Sequence, residues 1–232
     1  MRLSKEVSRE RIPRGAKLAT CPSCRQQFEF KLQGPSNFSP WEDRRNIGFW
    51  QGIYRTSSQV LLRPGLFFST LKSRSGTGEA FSFGLLTGAT GSMLGLFWQF
   101  LLLSGTISSH GFFSTGNTAM GVVFVIIMVL VPVFVALWMF VYSAILNFLL
   151  VLVGGAKCGF EGSFKVVAYS HAASLLSFIP FVGGWAGMIW QLVIQTVGLK
   201  EIHGITYLRL FAAGLIPLAL VAVLGMALVL LI

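Results

Sequence analysis

Polar and apolar positions divide this 232-residue chain unevenly. Residues 1–33 have isolated Leu, Val and Ile among basic side chains, residues 34–79 mix apolar and cationic positions, and long apolar runs follow. The front lacks the apolar core that an export signal needs, so the N-terminus is expected to stay cytoplasmic. Gly34 to Pro40 is a turn-rich linker. Between 47 and 72, Ile47, Phe49, Trp50, Ile53, Tyr54, Val60, Leu61 and Leu62 recur at helical spacing among Arg55, Arg63 and Lys72, with a break at Arg63-Pro64-Gly65. This predicts two short amphipathic helices lying in the membrane interface, aromatic residues inward and cations toward lipid phosphates, or alternatively packed on the protein's own spans. Beyond residue 80 the apolar runs predict an all-α polytopic membrane domain over 80–232, with crossings at about 81–104, 120–153, 164–178, 185–201 and 208–231.

The run 120–153 holds 34 residues, roughly 50 Å of helix against a hydrocarbon core of about 30 Å. It is either one tilted span passing Pro132 or two short ones. Charge decides between them. Basic residues lie before residue 80 and within 154–165 and 200–209, whereas 105–118, 179–184 and the tail to Ile232 carry no charge. Five spans put every basic segment on one side, as the positive-inside rule asks; six do not. The expectation is one overlong second span, with the N-terminus cytoplasmic and the C-terminus outside.

Composition makes the bilayer the solvent. Hydrophobic residues make up 54% and charged residues 11%, with a mean hydropathy of +0.72, against about 25% charged in soluble domains. Residues 1–79 hold 14 of the 18 Lys+Arg and 6 of the 8 Asp+Glu, and 80–156 has no charged side chain at all. The basic excess points to anionic lipid rather than nucleic acid as the partner surface. The stretch 154–204 organises the rest: two uncharged arms hinged at Ile179-Pro180-Phe181-Val182-Gly183-Gly184. Each arm is roughly 24 Å long, shorter than the hydrocarbon core, which reads as a wedge or as a site of bilayer thinning.

Candidate chemistry falls in four places. Gly84, Gly88, Gly91 and Gly95 recur three or four apart on the first span and admit close helix packing, with an internal partner expected. Tyr169 and His171 on one arm of the hairpin, Gln191 and Gln195 on the other, and Asn147 on the preceding span form a membrane polar cluster. A histidine deep in a span reads as a functional group, or as interhelical glue, a neutral imidazole bonded to Gln191, Gln195 or Asn147. The glue reading is preferred because the spans carry no acidic partner. Lys200, Glu201 and His203 close the hairpin at the inner interface, as an acid/base or metal pair or, more cheaply, a solvated helix end. Cys21-Pro22-Ser23-Cys24 before an aromatic strand looks like half of a zinc ribbon. No other Cys or His precedes residue 110. Cys21 and Cys24 are therefore either a zinc half-site, completed by a second chain or by residues upstream of Met1, or a metal-free arm. No other cofactor is expected. Three cysteines in all fit a reducing compartment without disulfides.

Several marks recur together: Pro40-Trp41-Glu42, Pro64-Gly65-Leu66-Phe67-Phe68, the glycine-rich first span, Gly154-Gly155, Gly162-Ser163-Phe164, Ala168-Tyr169-Ser170, Ile179-Pro180, and Val197 through Lys200-Glu201-Ile202-His203. In this order the chain, over about residues 40–232, resembles the Yip (Ypt-interacting protein) family of five-span membrane proteins. It is most similar to the bacterial branch with a zinc-ribbon-like N-terminus over 1–33, which implies a bacterial inner membrane. The resemblance implies no catalytic residues.

Two functions remain in view. The first is a non-enzymatic membrane-organising or adaptor protein whose front recruits a protein partner or a second copy. The alternative is a small-solute or ion transporter with a polar path around His171, Gln191 and Gln195. Enzyme chemistry is not expected, because paired carboxylates, a Ser/His/Asp set and a phosphate-cradling Gly-Lys motif are absent from plausible positions.

Overall fold

A computed structural model describes residues 18–20, 27–29, 39–71, 76–108, 116–217 and 226; side chains are described from 39 onward, apart from 103–120. The chain divides into two units, Met1–Ser36 and Asn37–Ile232. In the first, strands β1 (Leu18–Thr20) and β2 (Gln27–Glu29) pair antiparallel, with Leu18 opposite Glu29 and Thr20 opposite Gln27. Cys21 and Cys24 fall between them in sequence and lie outside the described residues.

Helices are the regular elements of the second unit among its described residues. Short helices α1 (Arg44–Ile47), α2 (Phe49–Leu62) and α3 (Pro64–Thr70) come first. Arg63 separates α2 from α3, and Pro64 takes the first helical position of α3, where its missing N–H costs nothing. Helices α4 (Thr77–Ser108) and α5 (Gly116–Leu152) follow, and over Thr77–Leu102 and Gly121–Leu152 they are long and apolar enough to cross a membrane. The run around Pro132 is thus one continuous helix of 37 residues. Then come α6 (Gly159–Ser170), a 3₁₀ segment (His171–Phe178), α7 (Gly183–His203) and the apolar α8 (Tyr207–Pro217). Gly204, left-handed at φ 60°, caps α7, and the Ile205 N–H bonds Lys200 O at 3.2 Å to close the turn.

The glycine face of α4 packs on α6 and the 3₁₀ segment, which run in the same direction. A Cβ on Gly84 would stand 2.6 Å from Ala168 O, and one on Gly88 would stand 2.5 Å from His171 Cδ2. Gly91 meets the Ser174 carbonyl, and Gly95 faces Ser177 Oγ at 3.7 Å. Within the chain, these glycines face the backbone of α6 and the 3₁₀ segment. The first arm differs from a uniform α-helix: its second half is a 3₁₀ helix, in which residues three apart eclipse. His171, Ser174 and Ser177 therefore form a straight row, which Ala168 of α6 extends by one turn. That row rises about 16 Å, matching the rise of α4 from Gly84 to Gly95. On its other side, the 3₁₀ segment meets Gly183 and Gly187 of α7, where a Gly187 Cβ would stand 2.7 Å from Ala173 O. A slim helix is thus held between two glycine faces.

Helices α5 and α7 run the opposite way. Phe140 packs on Phe81 near the start of α4, and Phe124 stacks on Phe100 near its end, with ring centroids 5.5 and 4.1 Å apart. Glu79, Lys165, Lys200 and Glu201 consequently gather at one end of the bundle, together with buried Phe68, Phe83, Phe164, Tyr169 and Leu150. The other end, at Ile179 to Trp185, is uncharged.

Candidate functional site

At the charged end, the turn before α1 is tied into the bundle. Tyr169, wholly buried, donates its hydroxyl to Glu42 Oε1 at 3.0 Å, and Ser39 Oγ lies 2.9 Å from the same hydroxyl. Burial pushes the Glu42 carboxyl above its usual range, while the hydrogen bonds from Tyr169 and Ser39 pull against that shift. The Trp41 backbone N–H donates to Thr56 Oγ1 at 2.8 Å, and its indole N–H donates to Ser82 Oγ at 3.0 Å. Arg44 pairs with Glu79 and lies 4.4 Å over the Trp41 ring. Phe67 packs edge-on against Tyr169 at 5.0 Å, and Phe68 covers Gly198 of α7. The sequence singled out Tyr169 without its partners; Ser39 and Glu42 lie about 130 residues earlier, and only the recurrent Trp41-Glu42 mark hinted at them.

Deeper in the bundle, the amides converge on Ser170. Gln195 Nε2 donates to Ser170 Oγ at 3.0 Å and its Oε1 accepts from Tyr142 at 3.0 Å, while Gln191 Nε2 reaches the same Ser170 oxygen at 3.5 Å. His171 is not part of this group. Its Nδ1 lies 2.8 Å from the Val167 carbonyl on its own helix, and its ring packs against Gly88. The bond to Gln191, Gln195 or Asn147 expected from the sequence is absent, because one helical turn brings the ring back on its own backbone. Asn147 Oδ1 is buried without a hydrogen-bond partner among the described residues.

At the end of α7, His203 is 1% exposed. Its Nδ1 accepts the Cys158 backbone N–H at 3.2 Å, and its Nε2 faces Ser163 Oγ at 3.1 Å. A backbone N–H can only donate, so Nδ1 carries a lone pair and the ring is the neutral Nε2–H tautomer. Burial lowers its pKa accordingly. Lys200 and Glu201 pair at 3.5 Å on the more exposed side, and Lys200 lies over Tyr207. Lys200, Glu201 and His203 are therefore neighbours in sequence with separate environments. Among the described residues, no three His, Cys, Asp or Glu side chains gather as a metal site. Cys21 and Cys24 offer two of the four ligands that a closed structural zinc site needs, so no zinc chemistry follows from this pair alone.

Taken together, the Trp41-Glu42, Tyr169-Ser170 and His203 marks are the contact points that hold the charged end closed. The family model described as Yip1 domain matches residues 58–229. The chain belongs to the Yip1 domain family. No curated protein and no solved structure matches it. Yip1 domains are membrane proteins, and the two long apolar helices fit an integral membrane protein. Within the Yip1 domain, Tyr169, His171, Gln191, Gln195 and His203 all lie in the matched region, whereas Ser39, Glu42 and Arg44 precede it.

Proposed function

We propose that this Yip1 domain is a non-enzymatic membrane-organising protein with five crossings, formed by α4, α5, α6 with its 3₁₀ extension and α7, the fifth beginning at α8. The charged end faces the cytoplasm of a bacterial cell and the C-terminus lies outside, as the positive-inside rule asks. Its front segment recruits a protein partner or a second copy.

The observation that carries this reading is the surface of α2 and α3. The buried face of α2 is small and polar, Gly52, Thr56 and Ser57 with Val60, whereas Trp50 is 79% and Tyr54 73% exposed, with Leu62 and Leu66 also outward. Arg45, Arg55 and Arg63 are exposed alongside them. A helix locked to its protein by small residues, turning aromatic rings and guanidinium groups outward, fits an anionic lipid interface. Trp190 of α7 donates to Leu61 O at 3.0 Å, coupling that helix to the hairpin.

The Ser163–His203 pair does not support hydrolytic chemistry. Ser163 is wholly buried, and Nδ1 of the imidazole takes a backbone N–H where a triad places a carboxylate. Of the side chains named for a transport path, His171 is bonded to its own helix and Gln195 to Tyr142 and Ser170, which favours the organising reading over the transporter.

Reconstitution tests it. Purified protein added to phosphatidylserine-containing vesicles is expected to shrink or tubulate them, with a weaker effect on zwitterionic vesicles. Arg45→Gln, Arg55→Gln and Arg63→Gln together remove roughly 1 kcal/mol of lipid attraction each and blunt that difference. Vesicles unchanged in size and shape at high protein loading would refute the proposal.

A further inference from the structure

We propose that the uncharged end of the bundle holds a lateral groove that binds the uncharged, hydroxyl-bearing head of an acylglycerol-type lipid. The groove, about 220 Å³, lies between α4, the 3₁₀ segment and α7, and Ser92, Gln99, Ser174, Ser177 and Gln191 line it. Ser177 is 6% exposed, and its hydroxyl makes no hydrogen bond among the described residues. It points between Gly95 and Gly184, 3.7 and 4.0 Å from where their Cβ atoms would stand. The side chains of Ser92, Gln99 and Ser174 likewise have no partner among the described residues, and Gln191 makes only the 3.5 Å contact to Ser170. Polar groups left unpaired at membrane depth carry a desolvation cost that an occupant with matching donors and acceptors relieves.

The lining fixes the chemistry of that occupant. Among the described residues no ionisable side chain lines the groove, so a phosphate or an ammonium would lie uncompensated in a low dielectric. Hydroxyl and amide groups that both donate and accept suit an alcohol or an ester. An adjoining space of about 280 Å³ shares Gly95, Gln99, Gly184 and Met188 with the groove and is walled by Trp98, Phe181 and Trp185. Its aromatic walls give the lipid's chains an apolar exit. Trp98 is fixed there by its indole N–H, which donates to Ser177 O at 3.1 Å, and by Phe181 at 5.9 Å. Phe181 holds φ 65° in a tight turn in which the Val182 N–H reaches Pro180 O at 2.7 Å. Such a conformation is strained for a bulky residue. Gln99 follows Glu79 by 20 residues, about 30 Å of helix, which sets the groove in the leaflet away from the charged end. The inference requires only that the chain lies in a bilayer and does not depend on the adaptor reading.

Photo-crosslinking decides it. The full chain in phosphatidylcholine nanodiscs is exposed to a photoactivatable diacylglycerol or to a photoactivatable phosphatidylcholine. Diacylglycerol is expected to label α4 and α7 peptides around Ser92, Gln99 and Met188, and unlabelled diacylglycerol should compete. Ser92→Leu with Gln99→Leu, at positions whose side chains bond nothing else among the described residues, should cut labelling about tenfold. Equal labelling of those peptides by phosphatidylcholine, labelling spread evenly over the exposed face of α5, or undiminished labelling of the double variant each overturn the proposal. Should the double variant fail to elute as a single species, lack of competition in the wild-type protein overturns it alone.

Discussion

His203 shows how one neutral ring can hold a helix end. Protonating Nδ1 would set a donor against the Cys158 N–H, so the folded protein favours the neutral form and burial lowers the folded pKa. In the unfolded chain the ring titrates at its ordinary value of 6.5. The unfolded state therefore binds the extra proton first, and this contribution to stability is complete above that value and lost as pH falls through the folded pKa. The thermal midpoint in detergent is expected to drop between pH 7.5 and pH 5. His203→Asn, which keeps an acceptor near Cys158 but loses the bond to Ser163, should cost about 1–3 kcal/mol at pH 7.5 and flatten the decline. Equal declines in both proteins would show that another group carries it. Glu42 works in the opposite sense, because its folded pKa is raised: the stability it adds belongs to the acid side and is lost as pH rises through that value.

The contacts of α4 with α6 and the 3₁₀ segment are set by glycines, and these differ in how closely they are approached. Gly84 and Gly91 face backbone carbonyls that cannot move without shifting the whole segment, whereas Gly95 faces the serine hydroxyl of Ser177 at an ordinary distance. Gly91→Ala is accordingly expected to lower unfolding free energy by about 1–3 kcal/mol, and Gly95→Ala to change it by less than about 0.5 kcal/mol. Unfolding in mixed dodecyl sulfate and neutral detergent measures both; similar costs at the two positions would refute the row-to-row packing. The glycine spacing was legible in the sequence because a period of three or four marks a helix face whatever lies opposite. The 3₁₀ conformation of His171–Phe178 was not, since Ala172, Ala173, Ser174 and Ser177 suit an α-helix as well, and only the two flanking glycine faces select the thinner form. The His171 bond was missed for the same reason: which carbonyl a buried ring meets depends on the local turn.

At the scale of the whole chain, charge was the most readable signal, because leaving a charge unpaired in hydrocarbon costs more than any packing contact returns. That is why Glu79, Lys165, Lys200 and Glu201 could be assigned to one end in advance, while the tie between Tyr169, Ser39 and Glu42, which joins residues about 130 apart, could not. The same charge pattern yields a test of the hairpin's path. Its uncharged lengths are short: 183–199 spans about 26 Å of α-helix, and 166–178, partly 3₁₀, about 24 Å. Either the bilayer thins to let Phe181 emerge on the far side, or the hairpin turns back within the membrane. Full crossing is favoured, because α4 runs parallel to the first arm and carries Trp98 to the same level as Phe181. Cys158 is exposed beside the charged end, and in a Cys21→Ser, Cys24→Ser background it should react with an impermeant maleimide only from the cytoplasmic side. With Cys158→Ser added, Phe181→Cys should react only from the opposite side. Labelling of both positions from one side would make the hairpin re-entrant, and the five-crossing arrangement would fall with it.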